Sequence, residues 1–406
     1  MVVDLNYVPK GWKKVKIPKV LFFQEGPGVR NWQFTETGVK LLNVGNINNG
    51  KIDLSKTSIH LSEEEANGKY KHFLVDDGDL LIACSGIVVD NFHNKIAFAE
   101  KEHLPLCLNT STMRFKALND EVDLNYFKYY LQTVHFTAQL RKLITGSAQL
   151  NFGPSHIKKI DLLLPPLETQ RHIAHILDDA AALRNKTEQL TKEYDALGQS
   201  IFLDMFGDPI LNPKLWKKDS LKKLGKTITG NTPSREIDNF YGDFIEWIKT
   251  DNINTPNMYL TRAEERLSEL GLKKGRSVDV GAILVTCIAG SRRVIGNVAI
   301  ADRKVSFNQQ INAFIPNNMV SLFWYYQFIL SQKYVQNNST NGMKGIITKG
   351  KFEKMEFINP DIKYQIEFAE KINLIEKQKE FAKQELKESE DLFNCLLQKA
   401  FKGELV

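Results

Sequence analysis

Two stretches of the chain carry apolar residues at alternating steps of three and four, the spacing that lays one stripe along a helix. The first passes through Ile173, Ile176, Ala180, Leu183, Thr187, Leu190, Tyr194, Leu197 and Ile201. The second passes through Phe368, Ile372, Ile375, Ala382, Leu386, Phe393, Leu396 and Ala400, with Lys379 and Ser389 as polar interruptions. Pro165, Pro166 and Pro360 stand just before these runs, Gly207 and Pro209 follow the first, and Gly403 follows the second. Proline ahead of a run and glycine behind it are the punctuation of a helix. A helix of about 38 residues spans roughly 57 Å at 1.5 Å per residue. Neither helix is wide enough to bury its own stripe, and their equal lengths make each the natural partner of the other.

The rest of the chain is patterned for mixed α/β structure with strands dominant. Short apolar runs at 80–84, 96–99, 283–287 and 298–301 are bounded by Gly, Asn and Asp, which predicts strands between turns. Residues 124–144 and 321–336 are expected to be helical, with the stripes Tyr126, Phe127, Tyr130 and Phe323, Trp324, Phe328 as core. These features recur in order. Asn46-Ile47 is matched by Asn252-Ile253 at an offset of 206, Gly78 to Cys84 by Gly281 to Cys287 at 203, and Ile96 to Ala99 by Val298 to Ala301 at 202. Pro165, Gln170, Ala174 and Phe206 are matched by Pro360, Gln365, Ala369 and Phe401 at 195. One unit is therefore written twice, and its offset locks over the helical part. The expected division is 1–160, 161–208, 209–359 and 360–406, two globular domains alternating with two helices.

Charge follows the same division. The four segments carry +4, −5, +9 and −2 against a chain total of +6, so basic globular parts alternate with acidic helices. A basic block is the footprint of a surface that neutralises phosphates. With 42% hydrophobic and 25% charged residues, the composition is that of a folded protein. The opening residues carry Asp4 and no sustained apolar run, and no stretch reaches transmembrane length uncharged, so a cytoplasmic protein without membrane contact is expected. Cys84, Cys107, Cys287 and Cys395 are too scattered for a zinc knuckle or a disulfide scaffold.

Catalytic machinery is looked for in vain. Gly345 to Lys351 follows most of a phosphate-binding GxxxxGK loop, but Phe352 stands where a magnesium-holding hydroxyl is needed. No GxGxxG follows a strand, and the Asn-Pro-Pro-Tyr loop of aminomethylating enzymes does not occur. His172 and His175 with Asp178 and Asp179 read as a solvated helix face. No catalytic, cofactor-binding or metal-ligating residue is assigned.

Gly78 to Gly86, Leu163 to Ala174 (LLPPLETQRHIA) and Leu396 to Leu405 (LLQKAFKGEL) resemble the specificity subunits of type I restriction–modification systems, over essentially the whole chain. Asn359-Pro360-Asp361 departs from the family's Pro-Pro-Leu-like pattern in the second copy. The resemblance implies an α+β architecture, with two strand-rich target-recognition domains separated by long helices that pair as an antiparallel coiled coil. It also implies a non-catalytic subunit that reads one half of a bipartite site in double-stranded DNA with each domain. Its helices would dock two methyltransferase subunits, which hold the S-adenosylmethionine, and motor-nuclease subunits would join the full complex. The helices would then act as a ruler between half-sites.

Candidate DNA-reading residues in the first domain are Ser85, Gly86, Asn91, His93 and Asn94, with the turn Gly146, Ser147 and Gln149. In the second domain they are Ser291, Arg292, Arg293 and Asn297, with Lys344 in the turn Gly342-Met343-Lys344. Arginine suits this role because it can bond guanine bidentately in the major groove. Asn46, Asn252, Arg30, Trp32, Lys51, Lys249 and Thr250 are further candidates, with Trp32 an alternative core residue. Two rival readings stay open: a coiled-coil interaction scaffold with non-specific DNA affinity, and an autonomous DNA enzyme.

Overall fold

The computed structural model describes residues 7–55, 57–144, 149–340 and 344–405. They form two compact units, one of residues up to 186 together with 385 onward, the other of residues 187–384.

In the first unit a four-stranded antiparallel sheet runs in the order Leu21–Glu25, Thr112–Ala117, Leu80–Ala83, Ile96–Phe98. Its central strand is buried on both faces. Leu80 and Ile82 point into the core shared with helices, and Leu81 into a second core with Leu106 and Leu108, the alternation a strand imposes. The second core is closed by Val39–Leu42, which pairs in parallel with Leu106–Leu108 and antiparallel with His60–Leu61.

The second unit repeats this plan. Gly225–Thr229, Ile311–Pro316, Ile283–Thr286 and Val298–Ile300 form the antiparallel sheet, and Tyr241–Ile248 pairs in parallel with Val305–Phe307. Even the small ladders recur: Ile87–Val88 with Gln149–Leu150 is matched by Ile288–Ala289 with Gly345–Ile346. The predicted helix over 124–144 is two helices, Leu124–Tyr130 and Val134–Leu143, and that over 321–336 is Ser321–Leu330 and Gln332–Asn337. Thr133 interrupts the first by capping the next turn, its side chain accepting from Phe136 N–H. The aromatic stripes are core, with Tyr126, Phe127, Tyr130, Phe323, Trp324 and Phe328 all buried.

The long helices are Leu167–Phe206 and Ile362–Phe401, 40 residues each. A buried glutamine secures each start: Gln170 Nε2 donates to Pro165 O at 2.9 Å, and Gln365 Nε2 to Pro360 O at 2.8 Å. Glycine ends each in the left-handed region, Gly207 at φ +75° and Gly403 at φ +71°. Both glycines are wedged on a proline, since a Cβ would lie 2.7 Å from Pro213 in one and 2.6 Å from Pro9 in the other. In the first unit, Ile173, Leu177 and Ala180 share a core with Phe393, Leu397 and Phe401. In the second, Phe202 and Phe206 share one with Phe368, Ile372 and Ile375. In each unit, then, the beginning of one helix meets the end of the other.

The stripe of the second helix is as expected, with Phe368, Ile372, Ile375 and Phe393 buried and Leu386 and Leu396 half-buried. The stripe of the first helix needs correction. Ile173 is buried and Ile176, Tyr194 and Ile201 are half-buried, but Leu183, Leu190 and Leu197 are 50, 36 and 45% exposed. Residues 177, 184, 191 and 198 turn inward instead, the position four after each shared residue rather than three. The cause is what packs there. Arg184 lies over the Phe393 ring at 4.8 Å. At Gly198 the hydroxyl of Tyr326 comes so close that a Cβ would sit 2.2 Å from it.

Candidate nucleic-acid interface

Leu21–Glu25 and Leu80–Ala83 both run antiparallel to Thr112–Ala117, so their carboxyl ends share one edge of the sheet. Loops 84–95 and 109–111 meet there, and loops 287–297 and 308–310 meet at the same edge in the second unit. Most candidate residues fall on these edges.

In the first unit Ser85 Oγ and Gly86 N–H both donate to Asn151 Oδ1, at 3.0 and 2.8 Å, which fixes the turn. Asn91 and His93 are exposed and Asn94 half-buried, within a 3-10 segment Val89–Lys95. Gln149 pairs through its backbone with Val88. Gly146 and Ser147, and Gly342 and Met343 of the second turn, lie outside the described residues.

In the second unit Ser291, Arg292 and Arg293 are exposed, on a short 3-10 turn, Arg292–Val294. Gln332 and Gln336 brace that turn from behind, each donating to the carbonyls of Arg293 and Ile295 at 3.2–3.3 Å. Arg292 leans back on Gln336 O at 3.2 Å. The Arg293 guanidinium has no partner among the described residues, so a rigid backbone presents a free planar donor. Lys344 is exposed, with its carbonyl held by Thr340 Oγ1 at 3.0 Å.

Asn46 and Asn252 are turned inward, each 8% exposed. Asn46 accepts from Asn43 N–H and donates to Asp53 O and Thr57; Asn252 accepts from Lys249 N–H and donates to Arg262 O. Both amides hold loops and present no edge to solvent. Trp32 is 80% exposed, which removes it from the core. Lys249 is paired with Glu265 and lies over Trp247.

One arrangement at these edges was not singled out from sequence. Lys95 Nζ donates to Asn48 Oδ1 at 2.6 Å in the first unit, and Asn297 Nδ2 to Asn254 Oδ1 at 2.9 Å in the second. The signal was present: Asn48 and Asn254 stand at the offset of 206, Lys95 and Asn297 at 202. Burial pulls the Lys95 ammonium below its ordinary pKa. Burial also pushes the thiols of Cys84 and Cys287 up to about 12, so neither is a nucleophile at neutral pH.

The sequence model of the type I restriction modification DNA specificity domain matches residues 9–193 and again 213–390. The chain belongs to that family. Among its relatives are the type I restriction enzyme MjaVIII specificity subunit of Methanocaldococcus jannaschii, 28% identical over 193 residues, covering 47% of this chain and 45% of the relative. The HindI specificity subunit of Haemophilus influenzae is 29% identical over 154 residues, covering 36% and 32%. These alignments span less than half of either relative. The crystal structure of a type I restriction–modification S subunit from M. genitalium shares the fold at TM-score 0.50 and 15% identity, over 98% of this chain and 97% of that one. A chain solved for complex assembly and conformational transition of the type I R-M system superposes at TM-score 0.58 and 16% identity, over 98% and 99%. The two matched segments contain both sheet edges, on which most of the candidate residues lie. Among the described residues no helix is long and apolar enough to cross a membrane.

Proposed function

We propose that this specificity-family chain reads a bipartite site in double-stranded DNA, one half-site per globular domain (residues 1–160 and 209–359), and docks two methyltransferase subunits on its helices. The observation that carries this reading is the duplication: the same sheet edge is built twice on the same scaffold, with different polar loops on each. Identical scaffolds with different loops suit the reading of two different half-sites, because phosphate contacts position a domain while base-edge contacts specify. Leu190 and Leu197, exposed one heptad apart on the first helix, support docking, since apolar side chains left open in a row on a regular helix suit a protein interface. S-adenosylmethionine belongs on the partner methyltransferases, and motor-nuclease subunits would join the same complex. The chain itself contributes recognition and no catalytic step.

Co-expression with a type I methyltransferase subunit tests this. Genomic N6-methyladenine should appear within one bipartite motif and vanish when this chain is omitted. Sequence-independent binding that fades steeply with salt, and no motif, would favour the scaffold reading. Isolated, the chain should give no heat of binding with S-adenosylmethionine in calorimetry.

A further inference from the structure

The bridge that occurs at both sheet edges joins the same two loops each time. One follows the inner strand of the small sheet (Val39–Leu42 or Tyr241–Ile248), and the other leads into the edge strand of the large sheet (Ile96–Phe98 or Val298–Ile300). Donor and acceptor positions are conserved between the copies, and the chemistry is not. In the first unit the donor is a cation. Lys95 Nζ is held by Val44 O at 3.1 Å as well as by Asn48, and an ammonium has three protons, so one N–H is left to point elsewhere. Asn48 spends one N–H of its Nδ2 on Gly45 O at 2.6 Å, and its Oδ1 is taken by the ammonium.

In the second unit the donor is an amide within a relay. Gln332 Nε2 donates to Asn297 Oδ1 at 2.5 Å, and Asn297 Nδ2 donates to Asn254 Oδ1. This chain fixes which way round the Asn254 amide lies. Its oxygen keeps a second lone pair, its Nδ2 has no partner among the described residues, and the residue is exposed. A fixed amide with one free acceptor site and a free donor side by side is the complement of the adenine major-groove edge, which offers the N6 amino group and N7. A donor-only ammonium is the complement of guanine, which offers O6 and N7.

We propose that these bridges are the paired base-reading positions of the protein, with Asn254 reading adenine in one half-site and Lys95 reading guanine in the other. Asn48, Asn297 and Gln332 are positioning residues. The inference rests on the bipartite reading proposed above.

The test is selection from a library of randomised DNA duplexes by the purified full-length chain, followed by sequencing and repeated across salt concentrations. The unaltered chain should select a bipartite motif with adenine in one half and guanine in the other. Asn254→Asp should replace the adenine preference at one position by cytosine, whose N4 donates to a carboxylate. Lys95→Asn should relax the guanine position alone. In each case discrimination at that position falls roughly 5- to 150-fold while the other half-site is unchanged. Gln332→Ala should blur the adenine position and leave thermal unfolding of the chain in place. A variant that keeps the full motif overturns the proposal. So does uniform weakening on every sequence with a shallower salt dependence, which marks a phosphate contact. Failure of the unaltered chain to select any motif overturns the bipartite reading itself, a result distinct from an intact motif that ignores these residues.

Discussion

Gly198 shows how one residue decides which face of a helix turns inward. Alanine normally favours a helix interior over glycine by about 1 kcal/mol. Here a Cβ would lie 2.2 Å from the hydroxyl and 2.8 Å from the Cζ of Tyr326, a side chain only 4% exposed. Overpacking should win, so Gly198→Ala is expected to destabilise the second unit by about 1–3 kcal/mol in urea unfolding. Adding Tyr326→Phe removes the nearest atom and should restore part of the loss; a stabilised single variant would show the contact to be soft. Arg293 is the second residue-scale case. Its guanidinium has no partner among the described residues and its backbone is braced, so Arg293→Ala should weaken reading of one half-site by about 1–3 kcal/mol. Arg292→Ala should do less, because that side chain already leans on Gln336 O. Duplex competition assays separate the two, and equal loss on all sequences would assign Arg293 to phosphate.

At the scale of the helix, both existence and ends were legible in sequence, because proline, glycine and the three-four spacing are local signals. The phase of the first stripe was not. Two sets share Ile173, Ala180, Thr187 and Tyr194, and the set rich in leucine is the one apolarity alone selects. What turns the helix is the incoming Tyr326 and Phe393, residues distant in sequence. The same limit hid the inward amides of Asn46 and Asn252, whose partners lie in loops that sequence leaves unfolded. The exposed set carries a prediction: Leu190→Ser with Leu197→Ser should abolish co-purification of methyltransferase subunits while leaving duplex binding and thermal unfolding intact. Simultaneous loss of DNA binding would mean these leucines hold the fold. Lys379 interrupts the other stripe and is 7% exposed, paired with Asp195 and 3.6 Å from Glu376. Asp195→Asn leaves a buried cation short of a partner and should cost about 1–3 kcal/mol. Lys379→Met removes the charge that needs one, because Asp195 is itself half exposed, and should be neutral or stabilising. Denaturant unfolding of both variants checks the asymmetry, and equal losses would refute it.

At the scale of the whole chain, the repeat was the most legible feature because insertions fall in loops while strand order and helix length are kept. Each long helix gives one part to each unit, the first crossing over between Lys186 and Thr187, the second between Gln384 and Glu385. Inserting one heptad at each crossing keeps both stripes in phase, because seven residues return the a and d positions to the same face. The insertion adds about 10.5 Å of helix. If the helices set the distance between half-sites, that length corresponds to about three base pairs at 3.4 Å each. The recognised halves should keep their bases while the unread spacer grows by that amount. Twist works against this, since about 10–10.5 base pairs make one turn and three added pairs rotate one half-site by roughly 100° about the duplex axis. The expected outcomes of methylation mapping are therefore a longer spacer between unchanged half-sites, or a folded protein that methylates nothing. The original spacer found with the longer helices in place would show that something other than helix length sets the distance.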